Sequence, residues 1–332
     1  MEKPEVPRDH LMPFERTQEV LHEAHEGGVM GVYVSGGDPM CYPHLFEFLD
    51  VLDELDFVPI TIPTKSYVSL EAAERLAANR MVHQLQFSID STVPEVADFL
   101  TQSPGFCKRI LESIGNAKKA GIKSICVKAV ITPYNVPTMA KFYRDMKALE
   151  VDEILMATYC KSGFRHKDKL FNHQDDYEWL DEQLDKLRAE FPNDMIVYQN
   201  GPPRIERDSQ EQRERSWPER ARCTAGRDAM TVCANGKVVA CEQMPETEEH
   251  FLGDLRVQSI AEVWSGKVLD EYLIHPPREK FAGTPCYDCE EFDQCQTVYG
   301  LCVRNSCIYY GTRWHPTPNC PHLSPDKLVR EW

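Results

Sequence analysis

Nine of the thirteen cysteines fall between Cys223 and Cys320, and no other feature limits the fold as strongly. Thirteen is an odd count for a disulfide scaffold, and the early charges Glu2, Lys3, Glu5 and Arg8 do not read as a secretion signal. Thiols crowded into such a chain point to metal ligation. Cys286-x2-Cys289-x5-Cys295 sets two thiolates on one metal, and Cys302, Cys307 and Cys320 follow within short loops. Upstream, Ala234-Asn235-Gly236-Lys237 reads as a hairpin turn that returns Cys241 toward Cys223. A helix is expected over 259–273. Buried structural thiols would be scattered singly, so that alternative fits the spacing poorly. Zinc and iron-sulfur both suit thiolates, and two ions or two clusters would use about eight of them.

The preceding 222 residues hold only Cys41, Cys107, Cys126 and Cys160, which marks a second regime. Apolar runs at 31–35, 58–62, 84–89, 125–131 and 153–158 alternate with amphipathic stretches at 13–27, 43–55, 69–79, 106–119, 135–149 and 175–190. Short buried-type strands separated by helices predict an α/β fold with a parallel sheet. Periodicity alone fits a doubly wound sheet and a partial or full βα barrel equally. Two domains are expected, 1–215 and 216–332.

The turn after the first apolar run reads Ser35-Gly36-Gly37-Asp38-Pro39, where paired glycines let backbone approach a small polar ligand. Thr64, Ser88, Asp90 and Lys128 stand at or near later strand ends, where parallel sheets bind ligands. Each also suits an ordinary cap or a solvated position. Cys160 and His166 are further candidates to line the site, and no general base can be named. A net charge of -16 argues against a nucleic-acid surface, and no apolar run reaches the length of a bilayer span. A cytoplasmic protein without nucleic-acid or membrane partners is expected.

Gly36-Gly37-Asp38-Pro39 after a strand, Ser88-Ile89-Asp90-Ser91 two strands later and the terminal cysteine region together resemble the radical S-adenosylmethionine (SAM) enzymes with a SPASM extension. The likeness covers nearly the whole chain. It implies a partial βα (TIM-like) barrel followed by a small cysteine-rich domain with auxiliary [4Fe-4S] clusters. Gly36, Gly37 and Asp38 are similar to the family's GGEP-type motif, which contacts the methionyl end of SAM. Thr64, Ser88, Asp90 and Lys128 match positions that commonly face cofactor or substrate. Cys223-x12-Gly236-x4-Cys241 and Cys286-x2-Cys289-x5-Cys295 match the SPASM pattern, with Cys302 displaced by three residues from the family's next position, Tyr299. The resemblance implies one cluster on Cys286, Cys289, Cys295 and Cys320. The other would take Cys223, Cys241 and Cys302, with Cys233, Cys307 or an exogenous group as fourth ligand.

The family's defining C-x3-C-x2-C loop does not occur in residues 1–332. The first barrel strand is expected to be missing with it. Truncation of an active parent is the favoured explanation, because losing that strand leaves 31–35 without a neighbour on one side; degeneration is the other. For the intact parent the resemblance implies an oxidoreductase in which a reduced cluster cleaves SAM and a 5'-deoxyadenosyl radical abstracts hydrogen. A peptide or protein substrate and a reducing electron donor would be its partners. The alternative class is a non-catalytic iron-sulfur or zinc scaffold, or an electron-transfer module.

Overall fold

A computed structural model describes residues 11–161, 167–199 and 209–323. The chain forms two compact units, one built on residues 28–160 and 167–199, the other on 11–27, Lys161 and 209–323 of the described chain. The first helix, α1 (Phe14–Glu26), belongs to the second unit.

In the first unit, α2 (Leu45–Glu54) leads to β1 (Ile60–Thr64), α3 (Leu70–Ala78), β2 (Val82–Ser88), α4 (Pro94–Thr101), α5 (Phe106–Ala120), β3 (Ile125–Ile131), α6 (Met139–Ala148), β4 (Glu153–Thr158) and α7 (Gln174–Glu190). All strand pairs are parallel and the order is β1-β2-β3-β4. A doubly wound sheet reverses at a switch point; this sheet winds one way, as a βα barrel does. Gln199 extends it past β4, its N–H donating to Met156 O at 2.9 Å and its carbonyl accepting from Thr158 N–H at 3.0 Å. Helix α5 shows why the sequence pattern works. Phe106, Cys107, Ile110, Ile114 and Ala117 form its buried stripe, and Gly121 ends it in the left-handed conformation.

Two departures from expectation have local causes. Residues 31–35 form no strand: the sole backbone link in this stretch among the described residues is Val58 N–H to Met30 O at 3.4 Å, and Tyr33 is 99% exposed. Side chains there still alternate between half-buried and exposed, but a strand needs a ladder and this one has none to join. Helix α4, unexpected from periodicity, starts on Pro94 at its first turn. The Asp98 carboxylate near its end accepts the N–H groups of Gly105 and Cys107, which lowers its pKa and caps α5.

The cysteine-rich unit contains α8 (Gln210–Ser216), β5 (Thr231–Val232), β6 (Lys237–Val239), β7 (Gly253–Asp254), α9 (Ile260–Trp264) and α10 (Val303–Tyr310). Strands β5, β6 and β7 make an antiparallel sheet. The hairpin expected at 234–237 joins β5 to β6, with Gly236 at φ 82° and Cys233 N–H donating to Lys237 O. The helix expected over 259–273 is broken at Ser265-Gly266 and resumes at Lys267–Leu269 before a wide turn over Asp270–Ile274. A Cβ on Gly266 would stand 2.8 Å from Glu262 O, so the chain bends where glycine allows it.

Helix α1 is tied into this unit. Arg16 donates from Nε to Leu255 O (2.6 Å) and from Nη2 to Gln258 O (2.9 Å), while Glu23 accepts from Ile260 N–H (2.8 Å). Val20 joins Val238, Val239, Leu252, Leu255, Val263 and Leu273 in one apolar core. Among the described residues no helix is long and apolar enough to cross a membrane.

Candidate functional site

At the C-terminal edge of the parallel sheet the Gly-Gly-Asp-Pro turn adopts an open form. Gly36 has φ 104°, and a Cβ built on Gly36 or Gly37 would meet nothing within 4 Å, leaving room beside the backbone for a ligand. Asp38 does something different from facing that room. Its carboxylate accepts from Met40 N–H (3.0 Å), Thr64 Oγ1 (2.9 Å), Lys65 N–H (2.8 Å) and Ser66 Oγ (2.9 Å), fastening this turn to the end of β1.

Register separates the other strand-end candidates. Thr64 pairs with Phe87, so its side chain lies on the helix-covered face of the sheet; Ser88 pairs with Lys128 on the opposite, partly open face. Gln86, beside Pro63 and Cys126, shares the face of Ser88 and Lys128 and was not anticipated. Asp90 follows β2, with Oδ1 accepting Val130 N–H at 2.8 Å. Burial pushes its carboxyl above the usual range, against the opposing pull of Lys65 and the Val130 N–H. Asn135, fully buried, clamps the ends of β2 and β3 by donating to Asp90 O (2.6 Å) and Val130 O (2.9 Å). Thr132-Pro133-Tyr134-Asn135 is a turn signal that would have located it. Cys160 is half-buried, and His166 lies outside the described residues.

In the cysteine-rich unit the thiols gather in two sets. Cys286, Cys289, Cys295 and Cys320 line one pocket together with Trp217 and Phe292. Burial pushes the Cys286 thiol up to about 12, and charge on Cys320, Cys295 and Cys289 adds to that. Burial likewise takes Cys320 to about 11, with Cys295 and Cys289 contributing. The C-x2-C step is a tight turn, Cys289 N–H to Cys286 O, and Cys295 follows in a wide helical turn, Gln294–Tyr299. Such turns recur at functional sites.

The second set is Cys223, Cys241 and Cys302. Burial raises the thiols of Cys241 and Cys302, and the charge of Cys223 raises both further. Cys302 caps α10, and Cys307 within that helix feels the charge of Cys302, with burial taking its thiol to about 11. Cys233 is instead buried in the apolar core among Val238, Val239 and Leu252. Among the described residues no three His, Cys, Asp or Glu side chains converge on a single-ion site. Cysteine binds metal as the thiolate, so loading a set releases the protons that its thiols carry. The donor set fits thiolate-ligated iron-sulfur clusters.

Comparison with known proteins agrees with this geometry. Residues 3–149 match the Radical SAM superfamily model, and residues 223–290 match that of SPASM, an iron-sulfur cluster-binding domain. A GTP 3',8-cyclase of Sulfurimonas denitrificans is 25% identical over 54% of this chain and 58% of its own length, so the chain spans little more than half of that relative. A PqqA peptide cyclase of Granulibacter bethesdensis is 23% identical over 94% of this chain and 79% of its own. Streptococcus suis SuiB bound to S-adenosylmethionine shares the fold at a TM-score of 0.63 and 15% identity, over 96% of this chain and 71% of that one. These two domains imply [4Fe-4S] clusters. Residues 3–149 thus carry a domain of the Radical SAM superfamily, and residues 223–290 carry a SPASM iron-sulfur cluster-binding domain.

Proposed function

We propose that this protein acts in radical-based modification of a peptide or protein and holds two auxiliary [4Fe-4S] clusters for that chemistry. The observation that carries the proposal is the gathering of cysteines far apart in sequence into two thiol sets within one compact unit, one of them lining a single pocket. Cys286, Cys289, Cys295 and Cys320 would hold one cluster. Cys223, Cys241 and Cys302 would hold the other, with Cys307, which feels the charge of Cys302, Cys233 or an exogenous group as fourth ligand. When bound, the clusters supply one-electron chemistry, which calls for a low-potential reductant as partner.

In the first unit, the open backbone at Gly36 and Gly37 suits the methionyl end of SAM, and Asp38 and Thr64 fix the turn that presents it. Ser88, Lys128 and Gln86 line the open face of the sheet, and Asp90, its carboxyl pushed up by burial, stands just past the end of β2. The functional division proposed is 1–215 for the barrel and 216–332 for the cluster domain, with α1 lent to the latter. The peptide substrate is supported by the PqqA peptide cyclases, matched over 92% and 94% of this chain, and by the structure of SuiB bound to its precursor peptide SuiA. Thirteen free cysteines suit the reducing cytoplasm.

The two thiol sets by themselves also suit a second reading, an electron-transfer module without SAM cleavage of its own. Anaerobic reconstitution followed by iron, sulfide and zinc analysis tests the cluster assignment: about eight iron atoms per chain are expected, and zinc alone would overturn it. Formation of 5'-deoxyadenosine from SAM under dithionite separates enzyme from module. Its absence, with both clusters loaded, selects the module.

A further inference from the structure

The guanidinium of Arg220 is held in an unusual setting within the cysteine-rich unit. Its central carbon lies 3.9 Å from the ring centre of Trp217 and 4.1 Å from that of Tyr299, so the plane is sandwiched between two aromatic faces. Nη1 donates to Trp217 O at 2.5 Å, and Nη2 donates to the Sγ of Cys295 at 3.3 Å. Nε is buried without a hydrogen-bond partner. Among the described residues no carboxylate pairs with this cation. Stacking on two rings holds the guanidinium fork in one orientation, and one of its N–H groups is aimed at a sulfur.

The surroundings fix that aim. Cys295 packs on a small apolar cluster of Trp217, Leu301, Cys320 and Leu323, so the residue that stacks on Arg220 also packs with two members of the thiol set. The other thiol set has arginine charge nearby, from Arg304 and Arg227, but Arg227 spends its Nη2 on the carbonyls of Leu273 and Gln296.

Donors to cluster sulfur stabilise the more negatively charged, reduced state, since electron density on the ligands rises with each electron accepted. We propose that Arg220 is a positioning residue that makes the cluster on Cys286, Cys289, Cys295 and Cys320 easier to reduce than it would be without this donor, acting through its N–H···S bond to Cys295. This rests on the cluster assignment of the preceding section. The step concerned takes one electron from an external low-potential donor and leaves it on that cluster, with no bond made or broken.

The test uses the full chain, reconstituted anaerobically, with dithionite as reductant. Redox titration followed by electron paramagnetic resonance gives a midpoint for each cluster. Arg220→Met keeps the apolar stem between the rings and removes the donors. It is expected to retain iron and sulfide and to weaken reduction of one cluster about tenfold, a shift of 59 mV for one electron, while the other midpoint stays put. Arg220→Lys, which keeps charge without the planar fork, should fall between. Two unmoved midpoints in a fully loaded Arg220→Met protein overturn the proposal. Should that variant fail to load, wild-type protein labelled with 15N-arginine decides: electron-nuclear double resonance on the reduced cluster shows a guanidinium coupling, or its absence overturns the proposal. A wild-type chain that takes up zinc and no iron overturns the cluster assignment itself, and the proposal with it.

Discussion

The side chain of Asp38 illustrates how much a motif conceals. Its position in Gly-Gly-Asp-Pro is legible in the sequence, but the partners that it fastens, Thr64, Lys65 and Ser66, lie 26 to 28 residues on and emerge only when β1 is in place. Asp38→Ala strands those donors and is expected to lower stability by about 1–3 kcal/mol, read by urea unfolding, with faster amide exchange at Lys65. Asp254 is a second residue whose role needs the fold. The Arg256 guanidinium, with help from the Arg256 N–H and Lys237, holds its carboxyl well below the usual carboxylate range. A depressed carboxylate contributes stability that is complete above its unfolded pKa of about 3.9 and is lost as pH falls through the folded value. Asp254→Asn should therefore be less stable at pH 7 and lose less of its stability below pH 4 than the parent, in denaturation series monitored by tryptophan fluorescence.

At the scale of elements, periodicity was a good guide where burial is one-sided. The expected strands at 125–131 and 153–158 and the helices at 106–119 and 175–190 appear within a residue of their limits. It failed where a partner or a glycine decides. Residues 31–35 have strand composition but no ladder, and Gly266 cuts a stretch whose apolar spacing reads as one helix. The β5–β6 hairpin is the element on which the Cys223–Cys241 set depends. Gly236 turns it at φ 82°, and a Cβ there would lie 2.8 Å from Arg256 Cγ and 3.2 Å from Met12 Sδ. Gly236→Ala is expected to cost about 1 kcal/mol or more, lowering Tm in calorimetry. Iron bound by Cys223, Cys241 and Cys302 should fall, while the other set stays loaded.

For the whole molecule, cysteine spacing announced the metal-binding unit, and the fold explains why spacing alone could not choose the ligands. Cys233 and Cys307 look equivalent in sequence, and in the fold both meet the same apolar core, Cys233 within it and Cys307 packed against it. Independence of the two sets is testable. Replacing Cys286, Cys289 and Cys295 together by serine should remove about four iron atoms and leave the rest, as read by iron analysis and Mössbauer spectroscopy; loss of all iron would show that the sets load as one. Spacing gave no hint that α1 belongs with the cysteines. Its contacts with Leu255, Gln258 and Ile260 join residues 237 to 242 positions apart. During synthesis at roughly 5–20 residues per second, α1 leaves the ribosome and waits tens of seconds for the segment it packs against. Throughout that interval Val20, Leu21 and Ala24 have no core to enter. Closure of the unit around the thiols therefore waits for the segment through Ile260, and depends until then on whatever shelters that early helix.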